Sequence, residues 1–346
     1  MAQYRHRLAF LFLLVLVGVA EAQPGQPSSE LDFNPPKPRG PSPELNTAPA
    51  DENPNILSRS WQYAEQKRDE MTETWLGWTQ GIDSFLSGSE SEAAQNKSYL
   101  KIELKSTFEE SGEMESDARI KAKVDLPNTK RRLKLVFSSD DREEDTLEQR
   151  VRPKSTGERV RKEESIAGLL FEPDNENRKW KRKVSAGVKF RSPPDPYVRF
   201  RVNRDWEMKD SKWSARFEEE VWYFDAKGWG STAELEFIRP ITDNYSLSIF
   251  NGAEYRDEFN AWEFVQTLST RHRLDKRSSI EYRVGLFGLS QPNPRLTSFF
   301  IGSSYRKLIH EDWIVMTFSP ELFFPREENW SAEPSVTFRL EVFFTE

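Results

Sequence analysis

The sequence predicts an all-β chain whose strands close into an antiparallel transmembrane β-barrel of about 14 strands, with 12 as the smaller solution. Three observations carry this. From Lys97 onward, apolar residues recur at every second position in one short segment after another. That is the period of a strand with one face in an apolar medium and the other in water. Beyond the N-terminal region no run of 18 or more apolar residues occurs, so no helix can cross a bilayer. A closed barrel is the other structure that satisfies every backbone polar group in lipid. The third observation is an N-terminus laid out for export.

That N-terminal signal spans residues 1–22. Arg5, His6 and Arg7 precede the apolar run Leu8 to Val19, and Ala20-Glu21-Ala22 supplies small residues at a cleavage site. Residues 23–56 follow as a flexible linker, with Pro35, Pro36, Pro38, Pro41 and Pro43 closely spaced and no apolar period on which to build a core. Residues 57–96 form an amphipathic helix and its connector. Leu57, Trp61, Ala64, Met71, Trp75, Trp78, Ile82 and Phe85 recur at helical steps, and Arg68 interrupts the stripe. Such a helix packs on the barrel mouth or the membrane surface, or enters the lumen as a plug.

Residues 97–346 are the barrel. Leu100, Ile102 and Leu104 oppose Lys101, Glu103 and Lys105; Ile120, Ala122, Val124 and Leu126 oppose Arg119, Lys121, Lys123 and Asp125; Leu133, Leu135 and Phe137 oppose Arg132, Lys134 and Val136. Eleven further segments centre near residues 169, 186, 202, 218, 235, 249, 265, 284, 302, 317 and 340, those near 169 and 317 being the least regular. With the N-terminus in the periplasm, Pro240–Asn244 and Asp275–Arg277 become short periplasmic turns, as does the turn at Pro127. Asp140 to Glu163 falls on the far side, as the longest and most charged connection. A soluble periplasmic β-protein shares the same alternation and is the competing architecture.

Composition narrows the chemistry. The chain has no cysteine, which excludes disulfides and thiolate metal sites. A mean hydropathy of −0.76 suits a barrel whose strands give half their residues to water. Eleven Trp and 24 Phe are many for so charged a chain, and aromatic girdles at two membrane interfaces would use them. After the signal only His272 and His310 remain, neither beside a serine in a hydrolase pattern, so catalysis and zinc binding are not expected. No phosphate-binding loop or other cofactor motif is present. A net charge of −7 argues against nucleic acid as a partner.

The basic residues fall unevenly. Alternation turns Lys101, Lys105, Arg119, Lys121, Lys123, Arg132, Lys134, Lys181, Lys183 and Lys189 inward on the first five strands, followed by Arg199 and Arg201. Later strands mix Arg216, Arg283 and Arg339 with Glu218, Glu220, Glu234, Glu236, Glu281 and Glu341. Two readings follow. The charges are cross-strand pairs filling a closed lumen, or a basic wall favours small anions in an open one. Glu219 resists the scheme, because it falls between Phe217 and Val221 on the lipid side. A bulge, an interfacial position or a failed strand assignment would each explain it, and Trp180 and Arg182 raise a similar difficulty.

At the C-terminus Val336, Phe338, Leu340, Val342 and Phe344 fall on one face and Thr337, Arg339 and Glu341 on the other. With the export signal and the strand series, this resembles the closing strand of the Gram-negative outer-membrane β-barrel superfamily, over roughly Lys97 to Phe344. The resemblance implies an outer-membrane location, with lipid around the barrel and the barrel assembly machinery as partners. The resemblance is specific for location and not for function; the leading functional reading is a passive, porin-like channel with a charged lumen favouring small anions, without cofactor or enzymatic chemistry. Thr345 and Glu346 extend past Phe344, so the usual terminal aromatic residue is met only approximately. The alternative role is a closed barrel anchoring a periplasmic helix that binds a partner.

Overall fold

The structure is a computed structural model that describes residues 65–69, 71–72, 98–125, 133–139, 145–152, 165–173, 179–208, 211–310 and 313–345. The export signal, the Pro-rich linker, most of the helical stretch and the Pro127 turn lie outside these residues.

Fourteen antiparallel strands follow one another around the wall: β1 (Tyr99–Glu109), β2 (Met114–Asp125), β3 (Leu133–Ser138), β4 (Ile166–Phe171), β5 (Lys181–Lys189), β6 (Asp195–Met208) and β7 (Trp213–Phe224), then β8 (Gly228–Pro240), β9 (Tyr245–Arg256), β10 (Ala261–Arg273), β11 (Ser278–Leu289), β12 (Arg295–His310), β13 (Ile314–Pro325) and β14 (Glu333–Thr345). Each strand pairs with its sequence neighbours, and β14 returns to β1. The larger strand count holds, and both irregular segments are strands, β4 and β13. Closure removes the open edge that would otherwise leave backbone groups unpaired in lipid. The seam is continuous from Tyr99↔Thr345 to Glu109↔Ser335.

The interior and exterior are reversed relative to a water-soluble protein. Leu104, Ile120, Leu169, Phe200, Ile301 and Phe338 face outward and are each more than 40% exposed, whereas Glu103, Lys105, Thr107, Thr337 and Glu341 are buried on the inner face. This follows from the period of two once one face is given to lipid. An even strand number brings both ends of the barrel chain to one rim, the terminal end; the opposite rim is the loop end. The turns at Pro240–Asn244 and Asp275–Arg277 lie at the terminal end.

Two findings differ from the sequence reading. The connection from Asp140 to Glu163 does not lie wholly outside the barrel. Leu147–Val151 forms a short helix, α1, with Leu147 only 1% exposed, and it folds into the lumen. Burial of that one leucine and capture of the neighbouring charges by lumenal partners outweigh solvation of a charged loop. At the terminal end, residues 65–69 and 71–72 are helical. Yet Met71, a residue of the apolar stripe, is 44% exposed, while Thr72 is buried. Arg68, which interrupts that stripe, lies over the Trp313 ring at 5.5 Å. A guanidinium stacked on indole gains both contact area and attraction to the ring face, so the interruption makes the contact.

Large lumenal side chains are accommodated by glycines on adjacent strands. Gly285 on β11 leaves room for the Phe300 ring on β12, and Gly230 on β8 does the same for Trp222 on β7. A Cβ at either glycine would overlap the ring, so these are close approaches that need the missing side chain.

Candidate functional site

The lumen is the candidate site, and α1 divides it. Thr146 caps the helix through a capping box. Its hydroxyl accepts from the Gln149 amide at 3.2 Å, and the Gln149 side-chain oxygen accepts from the Thr146 amide at 2.9 Å. The free amide of Leu147 donates to Glu263 Oε2 at 2.7 Å. The Leu147 side chain enters an apolar pocket of Val265, Phe287, Phe300 and Phe323 on β10–β13. Glu148 accepts from Ser298 Oγ at 2.6 Å. Arg150 meets Glu254, and Arg152 Nε donates to Glu321 Oε1 at 2.8 Å while the guanidinium stacks 3.3 Å above the Phe323 ring. Arg283 Nη1 reaches back to the Val151 carbonyl at 3.3 Å. The helix is therefore fixed against the wall β9–β13 by one apolar anchor and by ion pairs.

Toward the terminal end of α1 lies a cavity of about 860 Å³. Its charged lining is dominated by arginine, with Arg150 and Arg152 from the helix and Arg271, Arg283, Arg306 and Arg339 from the wall. Between the wall arginines runs a strip of hydroxyls in which Ser304 and Ser319 hydrogen-bond at 2.8 Å and Arg283 Nη2 donates to Ser304 at 3.2 Å. The acids are shared among the cations. Glu281 takes Arg271 at 2.9 Å, Glu341 takes Arg306 at 3.1 Å together with Lys101, and Glu103 takes Lys101 at 3.0 Å and Arg339 at 3.6 Å. Among the described residues, Lys101, Arg271, Arg283, Arg306 and Arg339 thus face Glu103, Glu281 and Glu341.

The opposite wall carries a second cavity of about 410 Å³, lined in part by Lys121, Lys123, Lys183, Arg199 and Arg201. Lys101 and Lys121 are direct cross-strand neighbours. Arg199 lies flat on the Tyr197 ring at 4.5 Å, and Arg201 is held by Glu220 and by Glu218 at 3.2 Å. At the terminal rim Glu172 joins Lys134 at 2.8 Å to Lys183 at 3.1 Å. Burial alone would raise the Glu172 carboxyl, but these two ammonium groups overcome that and hold it down to about 2.

The register thus places Lys101, Lys105, Arg119, Lys121, Lys123, Lys134, Arg199 and Arg201 on the inner face. Arg119 sits 2.7 Å from Asp117, and Lys105 is buried opposite Arg339. Arg132 lies outside the described residues. Glu218 and Glu234 face each other across β7–β8. The sequence reading did not single out Arg271, Arg306 or α1. His272 is on the outer face, stacked on Tyr245 at 4.0 Å, away from the lumen; His310 closes β12.

On the outside, two rings of aromatics bound the apolar band. At the loop end Tyr223 packs on Trp229, Tyr255 on Trp262 and Phe299 on Phe324. Trp180, Trp206 and Tyr245 lie nearer the terminal end. On β7, Trp213 and Tyr223 are ten residues apart. That is about 33 Å along the strand, or about 25 Å of height at a tilt of about 40°, which matches the lipid-facing band of such barrels. The architecture is that of a transmembrane β-barrel.

No family model and no curated protein sequence matches the chain. Among solved structures it is similar to the KdgM porin in complex with disordered oligogalacturonate, at 6% identity over 70% of this chain and 98% of that one, with a TM-score of 0.34. It is also similar to a bacterial polysaccharide outer membrane secretin, at 10% identity over 72% and 99% and a TM-score of 0.43. A third is the outer membrane channel DcaP of Acinetobacter baumannii, at 5% over 72% and 96% and a TM-score of 0.40. At that distance nothing about solute, residues or mechanism carries over.

Proposed function

We propose that the protein is a passive outer-membrane channel whose basic lumen favours small anions and whose bore is narrowed by α1. The observation that carries this reading is a lumen with room in it: cavities of about 860 and 410 Å³, both bordered by cations. Close-packed interiors leave few voids larger than a water molecule. A positive surplus in a confined low-dielectric bore concentrates anions and retards cations. Lipid around the apolar band, the assembly machinery acting on β14 and small solutes in the lumen are the partners this reading implies.

The density of ion pairs favours a second reading, a closed barrel that anchors a periplasmic helix. One experiment separates the two. The refolded full chain is inserted in planar bilayers under a salt gradient near 0.1 M, where screening is moderate. The channel reading expects steady conductance with a reversal potential on the anion side, and the double variant Lys121→Glu, Lys123→Glu should shift it toward cations. An inserted barrel that never conducts supports the anchor, and an unchanged reversal potential in the variant removes the anion preference.

A further inference from the structure

Glu219 does face the lipid. The pairing of β7 with β6 and β8 runs without a register shift from Tyr197↔Phe224 to Ser214↔Ile238, so no bulge turns the side chain inward. Nor is it interfacial: it stands six residues from Trp213 and four from Tyr223. Two more polar side chains share its depth. Asn251 lies six residues from Tyr245 and four from Tyr255 on β9. Gln266 lies four from Trp262 and six from His272 on β10. All three are on the outer face, and between them the wall is low, with Ala233 opposite both Glu219 and Ala253.

Among the described residues Glu219 has no hydrogen bond or ion pair. Asn251 and Gln266 bond to each other at 2.9 Å, yet Gln266 remains exposed. A carboxylate and two amides at mid-depth, set around small side chains, suit a protein neighbour better than acyl chains. Cations occupy the same sector. Arg182 faces outward on the ladder row that runs through Val202 to Glu219. Arg204, opposite Phe217, is held over Trp180 at 5.3 Å and Trp206 at 4.9 Å with its Nε unbonded. On the outer face of β1, by contrast, Leu100, Ile102, Leu104, Ser106 and Phe108 carry no charge.

We propose that the outer face of β6–β10, with Arg182 of β5 at its margin, is a two-fold interface with a second copy of this chain, in which Glu219 of each copy meets the outward arginines of the other. Charge complementarity selects this occupant: the sector bears both signs on neighbouring strands, so a two-fold axis sets each against its opposite. The interface rests on the membrane-embedded reading and is independent of conduction.

The test uses the absence of cysteine in the chain, which makes any introduced one unique. Full-length Ala233→Cys, Ala253→Cys and, as a control on β4, Leu169→Cys are reconstituted in vesicles, floated to verify insertion and treated with a short bismaleimide. Dimers from the β8 and β9 cysteines and none from the control are expected. Mildly solubilised wild type should sediment as a dimer, and Glu219→Leu with Gln266→Leu should lower the dimer fraction at least tenfold. A floated monomer, equal cross-linking at Leu169→Cys or an unaffected dimer in the double variant overturns the interface. Failure to float overturns the membrane reading instead.

Discussion

The Glu172 carboxylate shows how far single charges organise this wall. It follows β4 and joins cations of β3 and β5, so its ionised form ties three strands together at the rim. Its depressed folded value means that the stabilisation is complete above the ordinary carboxylate range and disappears as pH falls through about 2. Replacing Glu172 with Gln should therefore cost about 1–2 kcal/mol at pH 7, after allowance for solvent screening, and little at pH 2. Denaturant unfolding of both proteins at the two pH values measures this, and an equal cost at both would assign the loss to packing. Lys134 was recognisable from alternation as an inward cation. Its connection through Glu172 to Lys183 was not, because that requires knowing which residues meet across two strands. The same holds for Gly285 and Phe300, since nothing at either position announces the other.

At the scale of elements, α1 is the part least visible in the sequence. Five residues are too few for a helical period, and charge on both sides of Leu147 gives the stretch the composition of a solvated loop. One local signal was available: Thr146 followed three residues later by Gln149 is a capping box. Besides the ion pairs of Arg150 and Arg152, the helix depends on that cap and on one leucine. Losing the cap costs about 1 kcal/mol, and truncating a buried leucine costs about 2–5 kcal/mol. The double variant Thr146→Ala, Leu147→Ala should release α1 from its pocket while leaving the wall intact. Single-channel recording should then show larger conductance, and an unchanged value would mean that α1 does not limit the bore. Arg271 and Arg306 were overlooked for a related reason. Each is one polar residue in a strand rich in Ser and Thr, and only the register of β10 to β14 brings them beside Arg283 and Arg339.

For the whole molecule, the strand period foretold most of the architecture, because lipid outside and polar groups inside leave alternation as the one pattern that fits. The seam between β1 and β14 completes it, with Thr107 and Thr337 hydrogen-bonded at 3.0 Å inside the wall. Closed ladders without an edge resist detergent until heated. Unheated protein should accordingly migrate differently from boiled protein on SDS gels, and identical mobility would contradict closure. If the lumen conducts as proposed, fixing α1 against one wall, β9–β13, has a consequence for what can pass. Among the described residues the space left lies between the helix and the Lys121–Arg201 side, and an off-centre opening is limited by its short dimension. Flat or thread-like solutes would then slip through edge-on, whereas compact ones of equal mass would be turned back.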